Sequence, residues 1–151
     1  VQVWKDTEFI VMVIGGPNQR TDFHDDPIEE VFFQLEGDMV LRIVEDGKLK
    51  DIPIREGEML MLPPHVPHSP QRPAGSIGMV IERVRPEGML EAFEWYCESC
   101  GQRHHRREVQ VRNIETDMPP VFDEYYDSED LRRCGNCGHL NPGRPPKAAA
   151  G

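Results

Sequence analysis

Histidines, carboxylates and cysteines recur along this chain at spacings that suit metal chemistry. His24 stands six residues before Glu30, and Glu30 heads the apolar run Val31-Phe32-Phe33-Gln34-Leu35. A carboxylate there points toward a core, where it is costly unless paired or bound to a metal. His68 follows a second apolar run, residues 59–62, across a proline-rich stretch. Two imidazoles and one carboxylate from non-local positions are the donor set of a non-haem Fe(II) site with open coordination positions. Further on, Cys97, Cys100, Cys134 and Cys137 form two Cys-x-x-Cys pairs. Four such thiolates suit a tetrahedral zinc or a rubredoxin-like iron, a closed site with a structural role. Two disulfides are the alternative, and the paired spacing argues against them.

The intervening sequence must position these groups. Residues 9–14 (Phe-Ile-Val-Met-Val-Ile) predict a strand buried on both faces. A polar loop over 18–26 carries Arg20 and His24, and a strand follows over 31–35. Asp46-Gly47 signals a tight hairpin between strands at 39–45 and 48–54. After a strand at 59–62, Pro63, Pro64 and Pro67 stiffen a loop over 65–72. In a strand over 76–84, Gly78, Val80 and Glu82 share one face. Short strands at such spacing indicate an antiparallel sandwich or barrel. Beyond it we expect a helical turn over 88–93, a strand over 108–112, and a helix over 119–130 capped at Thr116-Asp117. The expected domains are a barrel (1–93), a four-cysteine extension (94–140) and a disordered Pro/Ala/Gly-rich tail (141–151).

Composition narrows the partners. Among 151 residues, 27 are acidic and 17 are Lys or Arg, a net charge of −10 that disfavours nucleic acid and anionic membrane surfaces. No apolar run reaches the roughly 18 residues that a membrane-crossing helix needs. The Val-Gln-Val-Trp start has neither a signal core nor a Met, so we expect the sequence to begin inside a longer product. Cysteines in metal spacing rather than a disulfide framework place the chain in a reducing, cytoplasmic compartment.

The spacing His24-x5-Glu30-x6-Gly37, then Gly57-x5-Pro63-x4-His68, resembles the two motifs of the cupin superfamily, whose barrel holds a metal between them. Asp26 and Arg72 stand where that pattern often has a further His and an Asn. Three local stretches are more specific: Arg20-Thr-Asp-Phe-His-Asp-Asp-Pro-Ile-Glu-Glu30, Leu62-Pro-Pro-His-Val-Pro-His-Ser-Pro-Gln-Arg-Pro73, and Phe93-Glu-Trp-Tyr-Cys-Glu-Ser-Cys-Gly101. Together they resemble the 3-hydroxyanthranilate 3,4-dioxygenase family, in its form with a C-terminal four-cysteine site, over nearly the whole chain. That family usually has a segment ahead of the position of Gln2, and any pocket residues it supplies are not accounted for here.

The resemblance implies a cupin-type antiparallel β-barrel with a small rubredoxin-like metal knuckle unit. It implies His24, Glu30 and His68 as Fe(II) ligands, and zinc or iron at the four cysteines. Arg20 and Arg72 fall at the substrate carboxylate and oxygen pocket, and Glu82 beside the amino and hydroxyl groups. Glu30, Phe32 and Pro70 complete the substrate-binding set. The implied reaction takes 3-hydroxyanthranilate and O2 to 2-amino-3-carboxymuconate semialdehyde, the quinolinate precursor of the tryptophan–kynurenine route to NAD, in a homodimer. Residue chemistry agrees in part: a guanidinium grips a carboxylate with two prongs, and a carboxyl at Glu82 suits proton transfer. Taken alone, Arg72 also reads as a surface ion pair, Glu82 as a solvent-facing strand residue, and Phe32 and Pro70 as core packing. His65 reads as loop structure. Asp25 and Asp26 read either as partners that orient His24 or as solvated charges. The rival function is a non-catalytic small-molecule-binding cupin with a zinc-ribbon docking module, which would need neither the open triad nor the arginines.

Overall fold

Short apolar runs broken by turn formers produce ten strands in the computed structural model, which describes residues 1–4, 7–18 and 20–144. They are β1 (Phe9–Gly15), β2 (Phe23–Asp25), β3 (Glu30–Glu36), β4 (Met39–Glu45), β5 (Lys48–Ile54), β6 (Met59–Leu62), β7 (His68–Gln71), β8 (Ile77–Arg83), β9 (Glu91–Tyr96) and β10 (Arg103–Val109). Two helices follow, α1 (Ile114–Tyr126) and α2 (Glu129–Arg132). One sheet has the order β1-β8-β3-β6 and the other β10-β9-β2-β7-β4-β5, with every pairing antiparallel. The expected hairpin turns at Asp46 (φ 51°) and Gly47 (φ 71°), the pair of positive angles that matches strand twist.

Strand periodicity decides what the sheets enclose. Phe32, Leu62 and Val80 from the four-stranded sheet meet Met39, Leu41, Ile43 and Ile54 from the six-stranded one in a single buried cluster. The far half of the six-stranded sheet is covered instead by α1. There Phe93 and Trp95 of β9 pack with Val121, Tyr125 and Tyr126, and Trp95 stacks on Tyr125 at 4.2 Å. The mainly β, antiparallel architecture is thus the expected one, and β9 is common to its two parts, pairing with β2 on one side and β10 on the other. Position 93, the expected domain boundary, lies inside that strand.

Several local expectations are corrected. β1 lies at a sheet edge and buries only Val11, with Phe9 half exposed, so it is not enclosed on both faces. The supposed loops around His24 and His68 contain β2 and β7, which pair directly, His24 opposite His68. The expected turn at 88–93 gives way to β9, whose backbone has strand partners on both sides. β10 is the basic run itself rather than residues 108–112, because its arginines meet acids of the neighbouring strands: Arg106 bonds Glu94 and Asp25. The α1 cap is Asn113, whose side chain accepts from the Glu115 N–H, while Asp117 accepts from the N–H groups of Arg112 and Asn113. Asn141, placed in the expected disordered tail, is buried and joins Glu98 and the Tyr96 carbonyl. Residues 145–151 of that tail lie outside the described residues.

Leu41 is fully buried where the two sheets meet. Leu41→Ala should cost about 2–5 kcal/mol through lost burial and the cavity left behind, read as a lower urea midpoint with an unchanged slope.

Candidate metal centres

The inward residues of three strands form layers. On β3 they are Glu30, Phe32 and Gln34, directly opposite Glu82, Val80 and Gly78 of β8. Along β7 the inward set is His68 and Pro70, continued by Arg72. A rise of about 3.3 Å per residue sets successive layers about 7 Å apart. The first layer holds imidazoles and carboxylates, the second is apolar (Phe32, Pro70, Val80), and the third holds a guanidinium.

In the first layer, ligand atoms of His24, Glu30 and His68 all lie within 4.8 Å of one another. Nε2 of His68 is 2.6 Å from Oε2 of Glu30, and Nδ1 of His24 is 3.9 Å from Oε1. His68 donates its Nδ1–H to the Val66 carbonyl at 3.0 Å. That bond fixes the tautomer and leaves the Nε2 lone pair facing a carboxylate oxygen. Oε2 of Glu30 is buried and, despite the short approach of His68, receives no hydrogen bond. A cation belongs between them, either a proton on Nε2 or a metal ion bound by both atoms, and the donor set suits the second. Phe32 meets the His68 ring edge-on at 5.7 Å.

The same layer is rich in negative charge. Asp26, Glu30, Glu82 and Glu91 are all buried. Arg85 contacts three of them: Asp26 at very short range, Glu91 at 3.2 Å and Glu82 at 3.3 Å. Burial pushes the Glu82 carboxyl up to about 8, Arg85 opposes this, and Glu30 and Asp26 reinforce it. Burial opposes ionisation of Glu30 as well, but His68, His24 and a hydrogen bond with Glu82 hold it well below the usual carboxylate range. One proton therefore resides on Glu82 rather than Glu30.

Two layers away, Arg72 is almost fully buried, and its Nη1 donates to Oε1 of Gln34 at 3.2 Å. Among the described residues no carboxylate is within ion-pair distance of it; burial and the Arg20 cation pull its pKa below the usual arginine value. A Cβ at position 78 would collide with Arg72 Nη1 and lie 2.7 Å from Oε1 of Gln34, so any side chain there would displace both. Arg20, by contrast, is bound to Asp22 through two nitrogens. Asp25 lies on the other face of β2 from His24 and pairs with Arg106 at 2.6 Å and His65 at 3.2 Å. Asp26 is tied to Arg85. Sequence reasoning passed over Gln34, Arg85 and Glu91; an interior position in a period-two run could have exposed Gln34, but no spacing singles out the other two.

At the second centre, Sγ atoms are separated by 3.6 Å (Cys97, Cys137) and 3.7 Å (Cys100, Cys134). A tetrahedral zinc with Zn–S of about 2.3 Å would set them about 3.8 Å apart. The two knuckles close alike, Gly101 N–H on the Cys97 carbonyl and Gly138 N–H on that of Cys134, each at 2.8 Å. Four thiolates leave no vacancy, and His139 is not needed.

A family model described as 3-hydroxyanthranilic acid dioxygenase matches residues 2–126. Over 147 residues the chain is 58% identical to the 3-hydroxyanthranilate 3,4-dioxygenase of Shewanella woodyi, covering 97% of this chain and 78% of the relative. The enzyme of that name from Burkholderia lata is 57% identical over 144 residues, covering 95% and 83%. That from Ruegeria pomeroyi is 56% identical over 146 residues, covering 96% and 81%.

Two outcomes are expected. His68→Ala removes one of the three candidate donors, so metal affinity at the barrel should fall by more than the roughly 10–100-fold that outer contacts are worth, with the circular dichroism of the barrel retained. Replacing Cys97 and Cys134 together by Ser should abolish metal at the thiolates. Its cost in stability should be well above the ~1 kcal/mol of a typical substitution, with hydrogen exchange speeding first in α1.

Proposed function

The chain belongs to the 3-hydroxyanthranilic acid dioxygenase family and is a ring-cleaving oxidoreductase of tryptophan catabolism; on that premise we propose that the barrel interior is its active site, with His24, Glu30 and His68 holding Fe(II). The observation that carries this reading is the pairing of a cation-deficient layer with a buried arginine that lacks an acid, separated by an apolar layer. The substrate has the same three parts: adjacent amino and hydroxyl groups, a ring, and a carboxylate.

Bound Fe(II) supplies a template for the amino and hydroxyl groups beside dioxygen, and a route for electrons from ring to oxygen. The protein's own residues do the rest. Arg72, pre-set by Gln34 and seated over Gly78, grips the substrate carboxylate, and in an acidic protein it supplies the local positive field an anion needs. Phe32 and Pro70 wall the ring, with Val80 beneath it. Glu82, whose carboxyl titrates near 8, exchanges a proton with the substrate's hydroxyl or amino group near neutral pH. Arg20, oriented by Asp22, borders the oxygen side. The product of this reading is 2-amino-3-carboxymuconate semialdehyde. The thiolate site carries zinc or iron in a structural role. The working form is a cytoplasmic homodimer, a reading supported by free metal-spaced thiols and by exposed Met59 and Met61 on β6.

Oxygen uptake with 3-hydroxyanthranilate after anaerobic Fe(II) loading tests the proposal directly. Stoichiometric uptake is expected, and its absence from fully loaded protein would sink the reading. Arg72→Ala should weaken substrate binding by about 2–5 kcal/mol and Arg72→Lys by less, since an ammonium lacks the second prong. Unaltered KM in both variants at full iron loading would remove Arg72 from the pocket.

A further inference from the structure

His24 is held on two sides by one strand that supplies no metal ligand. Nε2 of His24 is 2.6 Å from Oε2 of Glu91, the first residue of β9. Phe93, two residues along and directly opposite His24 in the sheet, stacks on the imidazole at 5.1 Å with the planes 13° apart. Glu91 is itself buried, and Arg85 Nε lies 3.2 Å from its Oε1. That N–H is directed at Asp26 instead, so Oε1 receives no hydrogen bond and the polar duty of Glu91 falls on Oε2 and His24.

We propose that Glu91 is a positioning residue of the metal centre: by accepting the Nε2–H of His24 it fixes the tautomer and the ring angle, so that the Nδ1 lone pair faces Glu30 and the metal. The inference rests on the assignment of His24, Glu30 and His68 as metal ligands. A carboxylate on the outer nitrogen also makes the imidazole a stronger donor. Arg85, 3.2 Å from Oε1, helps hold Glu91 in place, and Phe93 prevents the ring from swinging about its remaining axis. No assignment of function to Arg85 beyond this electrostatic support is needed.

The test is anaerobic Fe(II) titration against a competing chelator, with zinc already filling the thiolate site. Wild type, Glu91→Gln and Glu91→Asp are compared, and the thermal unfolding of each is recorded before iron is added. Glu91→Gln, which keeps the shape and removes the charge, should raise the Fe(II) dissociation constant roughly 10–100-fold. Glu91→Asp retains the charge opposite Arg85 and draws it back by one methylene, so it should fold like wild type and bind with intermediate affinity. At full iron loading KM for substrate should stay unchanged, because Glu91 acts through His24 and not on substrate. If both variants bind Fe(II) within twofold of wild type, Glu91 is only a structural acid and the proposal is overturned, whatever their melting temperatures. Failure of wild type to take one Fe(II) in the barrel would instead overturn the ligand assignment beneath it.

Discussion

Everything near the first layer depends on how a set of buried carboxylates is neutralised. Asp26, Glu30, Glu82 and Glu91 converge where the two sheets meet, and Arg85 is the guanidinium among them. An uncompensated buried charge costs several kcal/mol, so the cluster persists only because protons, imidazoles and a cation share the load. Arg85 contacts Asp26, Glu82 and Glu91; His24 and His68 face Glu30; Glu82 keeps its proton. The residual negative potential points toward the one place where bare ligand atoms face each other. A site that draws a cation follows from this imbalance as directly as from the identity of its ligands.

Strand periodicity sorts the interior chemistry into layers. Because inward residues recur every second position, one step along β3, β7 and β8 changes the lining from imidazole and carboxylate to apolar groups, and the next to a guanidinium. The proposed fit to substrate rests on that register. A one-residue slip of β3 against β8 would turn Glu30, Phe32 and Gln34 outward together. Gly78 shows how tightly the third layer is packed, since the Arg72 guanidinium occupies the space a side chain there would need.

The parts of the fold legible in sequence were those with local causes. Asp46-Gly47 carries its own turn geometry, the spacing of His24, Glu30 and His68 marks three side chains that converge, and the cysteine pairs carry the knuckles. What escaped were features caused at a distance. β2 and β7 look like loops because each is short, polar and proline-flanked, and they become strands only by pairing with each other and with neighbours. β10 reads as a basic run until Glu94 and Asp25 are seen across from it. Arg85 and Glu91 are ordinary charges in the sequence; only the folded chain sets Glu91 against His24, far upstream, and Arg85 among Asp26, Glu82 and Glu91.

The place of β2 in its sheet has a consequence for how the molecule is made. Both of its neighbours, β7 and β9, come later in the chain, and β9 only after most of the barrel. Pairings so distant in sequence are slow to form, since the loops between must close first. During synthesis His24 therefore waits on a strand with two open edges until β7 emerges, and with one until Glu91 and Phe93 follow. An incomplete chain presents those edges to other chains, and strand-to-strand aggregation is the hazard such edges create. The arrival of β9 thus covers the last open edge of β2, and a chain cut short before it would leave that edge exposed beside His24.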